Sequence, residues 1–339
     1  MDNIVIDIGC SNLKGHLVRG TEVVESYRVP TPVGDIQKIV EESQGMINRY
    51  HERGYYVTGV IVVSLSDALV YEHKDGEIGC YWWDAELPIY NGTPDYMVSG
   101  KPPQKELGGM AQQLKHIKTT HGLDTIHRIL PISTYVATVL AGDRTWHAWD
   151  WTHASNSGMY DMREKCWHES MHPFIDAGCI HHQIYAPSQL IQHAYGVVSV
   201  FLGGHDTTFI YNTWDMPYII LGTWITVGQV AADFAPDKMS DLPVRWLMDA
   251  NGRIHSQMCL HSGDSDKYDK IIEFLHRQDF YGKPTKIVGT WADDFCDGLL
   301  AAEDIHNRPR GGLKLEVDAS SCSPAPVARY VSEKRNLKL

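Results

Sequence analysis

The hydrophobic positions open in strand rhythm. Asn3–Ile8 is a mostly apolar run; after Gly9, Ser11 and Asn12 a second occupies Leu13–Arg19, and Gly20 separates it from a third at Glu22–Pro30. Apolar runs punctuated this way predict strand, turn, strand, strand. The period then lengthens: Ile36, Ile39, Val40 and Ile47 predict a helix from about Asp35 to Arg53, with Asp35 as its cap. Val57–Ser64 predicts a buried strand, with Leu69–Glu72 as its expected partner before the turn Lys74-Asp75-Gly76.

Further on, Pro88–Pro103 reads as an ordered loop, Leu107–His121 and Ser133–Ala141 as helices, and the tryptophan-rich Trp146–Trp167 as irregular, shielded structure. Strand punctuation returns at Val197–Leu202, Thr207–Asn212 and Tyr218–Gly222, with a helix expected from about Thr226. Helix (Asp264–Gln278), strand (Thr285–Val288), helix (Ala292–Glu303), strand (Leu313–Val317) and a last helix (Pro326–Arg335) complete the series. A strand–strand–strand–helix order thus appears twice. The prediction is an α/β chain of two domains, 1–192 and 193–339, meeting near the polar segment Pro187–Tyr195.

Composition narrows the function. A length of 339 residues, 43% of them apolar, allows two full cores. The net charge of −12 argues against an extended nucleic-acid-binding surface, although a local amide cradle and a metal can still hold a phosphorylated ligand. Seven scattered cysteines without a CxxC predict reduced, mostly buried thiols. Eighteen histidines include no HExxH and no partner spacing for His181-His182, so a zinc site is not expected. The chain opens on a strand rather than a signal core, and no apolar stretch is long enough to span a bilayer; a cytoplasmic protein without membrane contact is the expectation.

The candidate chemistry lies in three strings: DIGCSNLK at Asp7–Lys14, GGHDTT at Gly203–Thr208 and LGTW at Leu221–Trp224. Each leads an apolar run into small, hydroxyl-bearing or acidic residues, so that amides and hydroxyls can face phosphate while a carboxylate handles a metal or a proton. Asp7 is placed to hold Mg²⁺, with Gly9 turning the chain and Ser11 and Asn12 offering donors; taken singly, the string also reads as an ordinary hairpin with an Asx-type turn. Asp206 is placed to take a proton from an attacking hydroxyl; singly, it too reads as a turn residue. No GxxxxGK[ST], GxGxxG or GxSxG occurs, which removes the main support for P-loop, Rossmann and acyl-hydrolase readings.

In this order, over nearly the whole length, the strings resemble the FGGY family of sugar and polyol kinases. DIGCSNLK resembles that family's first phosphate string, with Cys10 where threonine is usual; GGHDTT resembles the string bearing the catalytic aspartate, and LGTW the second phosphate string. VIVVSLSDALVYEHKDGE and THASNSGMYDMREKCWHE resemble its sugar-contacting and Ala-Ser-rich stretches, and KIVGTWADDFCDGLLAAEDI its adenosine-binding turn and helix. The resemblance implies a two-domain actin/hexokinase-like (ribonuclease H-like) fold, with a duplicated βββαβα core and an interdomain cleft. It implies ATP and Mg²⁺, with Asp206 as general base and Asp7 and Asp206 at the metal. Gly9, Ser11, Asn12, Lys14, Gly222, Thr223, Gly289 and Thr290 would lie along the nucleotide.

Asp67, Trp83, Asp84 and His205 are the candidate substrate contacts; for Trp83 core packing, and for His205 holding the turn, are the plainer roles. The chain is shorter than typical members, and its adenosine turn, Gly289-Thr290-Trp291, has a single glycine. The expected partner is a small sugar or polyol, with a homodimer as a permitted assembly. Two rivals stand beside the kinase: a catalytically weak or inactive sugar- or nucleotide-binding descendant, and an ATPase of the same superfold with no acceptor.

Overall fold

The computed structural model describes residues 2–91, 94–102, 109–194, 198–212, 214–222, 224–239, 243–278, 283–289, 292–305 and 314–318. Strands β1 (Asp2–Ile8), β2 (Asn12–Arg19) and β3 (Glu22–Pro30) pair as an antiparallel meander, as their turn residues predict. Helix α1 (Ile36–Glu52) packs over it and is capped by Asp35, whose carboxylate accepts the Lys38 amide. Gly15 permits that approach, because a Cβ there would fall 2.8 Å from the sulfur of Met46. Strand β4 (Val57–Ser64) runs parallel to β1.

The expected pairing of β4 with Leu69–Glu72 does not form. Strand β5 (Leu69–His73) joins β6 (Ile78–Tyr81) and β7 (Ile126–Pro131) in a separate three-stranded sheet. Nearly every residue of β4 is buried, which suits the middle of a sheet rather than one arm of a hairpin. Helices α2 (Tyr96–Ser99) and α3 (Met110–His121) lie between β6 and β7, and α4 (Ile132–Ala141) follows β7, ending at Gly142 in the left-handed conformation. The tryptophan-rich stretch folds into short pieces: β8 (Trp149–Asp150), α5 (Trp151–Asn156), β9 (Tyr160–Asp161) and β10 (Cys166–Trp167), followed by α6 (His172–Asp176) and β11 (Ile184–Tyr185). Trp149 and Trp167 pack edge to face within the core.

Strands β12 (Leu190–Ala194) and β13 (Val198–Phe201) return to the first sheet and give it the order β12-β13-β4-β1-β2-β3, with β13 parallel to β4. After them come α7 (Asp206–Ile210), β14 (Tyr218–Leu221), β15 (Trp224–Val230), β16 (Val244–Met248), β17 (Ile254–His261), α8 (Lys267–Arg277), β18 (Pro284–Val288), α9 (Ala292–Ile305) and β19 (Lys314–Asp318). The second sheet has the order β16-β17-β15-β14-β18-β19. It too opens with antiparallel neighbours on one side of its first strand and parallel neighbours on the other.

Three expectations are corrected here. The second series of strands starts at Tyr218, not near Val197, because Val198–Phe201 pairs with β4. The expected strand at Thr207–Asn212 is a helical turn, Asp206–Ile210, and the expected helix from Thr226 is β15, whose β-branched residues pair on both edges. Positions 192 and 193 both lie within β12, which pairs with β13. The thiols also differ from expectation: of the described cysteines only Cys179 and Cys296 are buried, and Cys166 is exposed. The expected last helix, Pro326–Arg335, lies outside the described residues.

The loop after β13 is pressed against the end of β4. The Ser64 amide donates to the Gly204 carbonyl at 3.1 Å, and a Cβ on Gly203 would lie 1.7 Å from the carbonyl oxygen of Val62. Only glycine fits at 203. Gly203→Ala is expected to destabilise the fold by about 1–3 kcal/mol through forced displacement of the backbone; thermal denaturation checks it, with an unchanged midpoint as the contrary result.

Candidate active site

Asp7, near the end of β1, sits opposite Lys14 of β2 in the strand register, and Lys14 Nζ lies 2.8 Å from Asp7 Oδ2. The tight turn between them closes through the Gly9 amide, which donates to the Asn12 carbonyl at 3.1 Å. Thr31 holds it from β3's end: its hydroxyl donates to the Gly9 carbonyl at 2.7 Å and its amide to the Ser11 carbonyl at 3.1 Å. The other oxygen of Asp7, Oδ1, is buried and has no partner.

Across from this turn, Asp206 begins α7. Its Oδ1 accepts the Thr207 amide at 2.6 Å and lies 3.4 Å from His205 Nε2. The carboxyl is pushed up to about 7, first by burial and then by the negative charge of Asp7; the Thr207 amide, Lys14 and His153 oppose the rise. A share of 30% of its side chain remains open, toward the cavity. Burial holds His205 neutral well below the usual imidazole range, and the positive charges of Arg245, His153 and Lys101 act in the same direction.

A fully buried network fixes this loop. Asp150 caps α5, accepting the amides of Thr152 (2.9 Å) and His153 (3.0 Å) together with the Thr152 hydroxyl. Thr152 Oγ1 in turn accepts the His205 amide at 2.8 Å. The second oxygen of Asp150 meets His153 Nδ1 at 2.6 Å, and His153 Nε2 lies 3.3 Å from Ser64 Oγ. All of these side chains are inaccessible, so the Asp–His–Ser chain braces the loop rather than attacking a ligand.

The remaining wall is built by Ser66, Asp67, Trp83, Lys101 and Arg245. Burial alone would raise Asp67, but the Lys101 ammonium, 2.8 Å away, outweighs it and holds the carboxyl below its ordinary value, assisted by Arg245 and the Met110 amide. Lys101 also donates to the Asn156 carbonyl at 2.6 Å. Trp83 meets Trp224 of β15 edge to face, with centroids 5.9 Å apart.

These groups surround one cavity of about 610 Å³. Of the residues singled out from sequence, Asp7, Gly9, Ser11, Asn12, Lys14, Asp67, Trp83, His205, Asp206 and Gly222 all line it. Asp84 does not: it is exposed, and its charge is felt by the Cys10 thiol, which burial, Asp206 and then Asp84 push up to about 11. Gly289 stands off the cavity at the end of β18, against Leu221; with φ at 150° and a would-be Cβ 2.7 Å from the Leu221 carbonyl, only glycine suits it. Thr223 and Thr290 lie outside the described residues. Sequence reasoning missed Lys101, Arg245 and the Asp150–Thr152 cap. The last carried a signal, an aspartate two and three residues before Thr152 and His153 at a helix start.

Asp7 fits a divalent cation such as Mg²⁺. Its Oδ1 is buried without a partner, the residue lines the same cavity as Asp206, and Mg²⁺ takes one or two carboxylates, completing its shell with water and phosphate oxygens. Among the described residues no group of three or more His, Cys, Asp or Glu could hold a metal by itself.

No protein-family model and no curated protein matches the sequence. Solved structures do. The chain matches a carbohydrate kinase from Novosphingobium aromaticivorans with a TM-score of 0.79 at 12% identity, over 98% of this chain and 91% of that one. A ligand-bound xylulose kinase from Lactobacillus acidophilus matches at 0.68 and 14%, over 99% and 90%. Plasmodium falciparum glycerol kinase with ADP matches at 0.61 and 12%, over 82% and 64%. The chain therefore has the mixed α/β fold of the carbohydrate kinases, which is actin/hexokinase-like. Those structures are FGGY-type sugar and polyol kinases, the same group that the sequence strings resemble. Among the described residues no helix is long and apolar enough to cross a membrane.

The position of Asp206 has a consequence for stability. Its carboxyl titrates at about 7 in the fold, above its ordinary 3.8, so the folded state holds the proton more tightly than the unfolded chain. The associated stability is present below pH 3.8 and is lost as pH rises toward 7. Asp206→Asn is thus expected to raise the melting temperature at pH 8 by about 2–5 °C and to change it little at pH 4. Calorimetry at the two pH values checks this; a variant that melts lower than the wild type at pH 8 contradicts it.

Proposed function

We propose that this chain is an ATP-dependent kinase that transfers a phosphoryl group to a hydroxyl of a sugar or related polyol. In this reading the two sheets are a duplicated core, the domains divide after β13 rather than at 193, and the cavity is the cleft between them. The observation that carries it is the meeting of Asp7, Lys14 and Asp206 in one cavity, with Asp206 titrating near neutrality. A base is most effective when its pKa lies near the working pH, because it is then both ionised and able to accept a proton.

The acceptor oxygen forms a bond to the γ-phosphorus while the bond from that phosphorus to the bridging oxygen breaks, its electron pair leaving on ADP. The hydroxyl proton passes to the Asp206 carboxylate. Because the transition state is loose, alignment and exclusion of water do most of the work, with proton acceptance coming late. Mg²⁺, when held by Asp7 and Asp206, offsets the charge of the β- and γ-phosphates. Lys14 adds a positive charge beside Asp7, while Ser11, Asn12 and the Gly9 turn face the phosphates from the first sheet and Gly222 from the second. The adenosine is assigned to the Gly289 side, the turn that resembles the family's adenosine-binding one. Thr152 and Asp150 keep the base in position by holding the His205 amide.

The test is an ADP-release screen over pentoses, hexoses, deoxysugars, ketoses, polyols and their acids. Acceptor-stimulated release is expected; acceptor-independent hydrolysis, or binding without turnover, overturns the reading. Asp206→Asn is expected to lower kcat by about 10²- to 10⁴-fold while nucleotide affinity, measured by calorimetry, is retained. An equal loss of nucleotide binding assigns Asp206 another task. The base must be ionised to act, so kcat/KM is expected to fall about tenfold per pH unit below a break near 7; a flat profile between pH 5 and 8 contradicts it.

A further inference from the structure

On the Lys14 side of Asp206 the cavity suits phosphate. On the other side, beyond His205, it carries a second set of charges, buried or half-buried, whose sum among the described residues is not zero. Lys101 is neutralised by Asp67 at 2.8 Å, and the single charge of Asp67 is used in doing so. A histidine such as His205 supplies no negative charge in either protonation state. Arg245 of β16 lines the same wall. Among the described residues it forms no ion pair: its one hydrogen bond runs from Nη1 to Asn156 Oδ1 at 3.4 Å, and its Nε is buried without a partner.

A guanidinium does not shed its proton, and a desolvated cation without a counter-ion is costly. Its planar fork matches a carboxylate in two parallel hydrogen bonds. His205, which is only 4% exposed, also keeps Nδ1 buried and unpartnered in the cavity wall. The rings of Trp83 can cover the carbon chain of a carboxylate-bearing ligand.

We propose that the acceptor is a polyhydroxy acid, a sugar or polyol bearing one carboxylate that pairs with Arg245 while a hydroxyl further along its chain reaches Asp206. One unpaired cation matches one carboxylate; a sugar phosphate would bring about two negative charges to it. The inference rests on the kinase reading above for its chemistry. The new bond joins the acceptor oxygen to the γ-phosphorus, the bridging phosphorus–oxygen bond breaks with its electrons leaving on ADP, the hydroxyl proton goes to Asp206, and the carboxylate is unchanged.

The experiment compares matched acceptors of four to six carbons: aldonates, D-gluconate among them, the corresponding alditols and aldoses, and sugar phosphates. Binding is measured by calorimetry on the wild-type chain without nucleotide, and turnover by ADP release with Mg-ATP. At least one aldonate is expected to exceed its alditol about 10- to 100-fold in affinity and in kcat/KM, the range of charge-assisted hydrogen bonds. Arg245→Gln is expected to abolish that advantage, chiefly through KM, and Arg245→Lys to restore part of it. The wild-type comparison needs no variant, so it stands if Arg245→Gln fails to fold. Preference for neutral acceptors or for sugar phosphates overturns the carboxylate site and leaves the kinase reading in place. Arg245-dependent binding of an aldonate without turnover supports the carboxylate site and overturns the kinase reading instead.

Discussion

Two carboxylates that repel each other, Asp7 and Asp206, share one cavity, and the surrounding architecture holds them there. Asp206 alone, buried beside a negative neighbour, works against folding by an amount on the order of a few kcal/mol. The opposing restraint comes from backbone geometry rather than from a nearby cation. Gly203 leaves no room for the loop to shift, Ser64 ties Gly204 to the end of β4, and Thr152 ties His205 to the cap of α5. Lys14 pairs directly with Asp7 and offsets the rise at Asp206 only in part. Strain of this kind is characteristic of functional sites, where a group is kept in a state that it would not choose in water.

The same cavity is electrostatically divided. One end has a paired cation, Lys14, beside a turn rich in donors; the other has the closed pair Asp67–Lys101 and Arg245, which forms no ion pair among the described residues. A chain with a net charge of −12 thus places positive groups inward, where exclusion of water makes them count most. The Arg245 end depends on contact between the second sheet and helices α2 and α5. Trp151 Nε1 donates to the Asp249 carbonyl, the Met248 amide to Ser155 Oγ, and Trp246 Nε1 to the Tyr96 hydroxyl. Arg245 is delivered by a strand of the second sheet to Asn156 of helix α5, so that end of the cavity exists only when the two are assembled.

Where the signal was local, the sequence was legible. The meander β1–β3 and the capped helix α1 follow from turn residues and from apolar spacing over a few positions, and the structure has them where expected. The reading failed where partners are distant. Nothing within Val198–Phe201 says that it lies beside β4 rather than beside β14, and nothing in Leu69–His73 says that its neighbours are β6 and β7. At Thr226 the local sequence predicts a helix, because the pairing that makes it a strand comes from the distant Ile254–His261.

The amino-acid order by itself determined which residues could do the chemistry: acidic, hydroxyl-bearing and glycine-rich strings at the ends of apolar runs, in a succession resembling sugar kinases. Tertiary structure alone decided that Asp7 and Asp206 share a space, that Asp206 titrates near neutrality, that Asp84 stands outside, and that Arg245 has a charge to satisfy. The physical reason is range. Propensity and capping act over a few neighbouring residues, whereas burial, ion pairing and the pKa of a carboxyl depend on groups brought together from opposite ends of the chain.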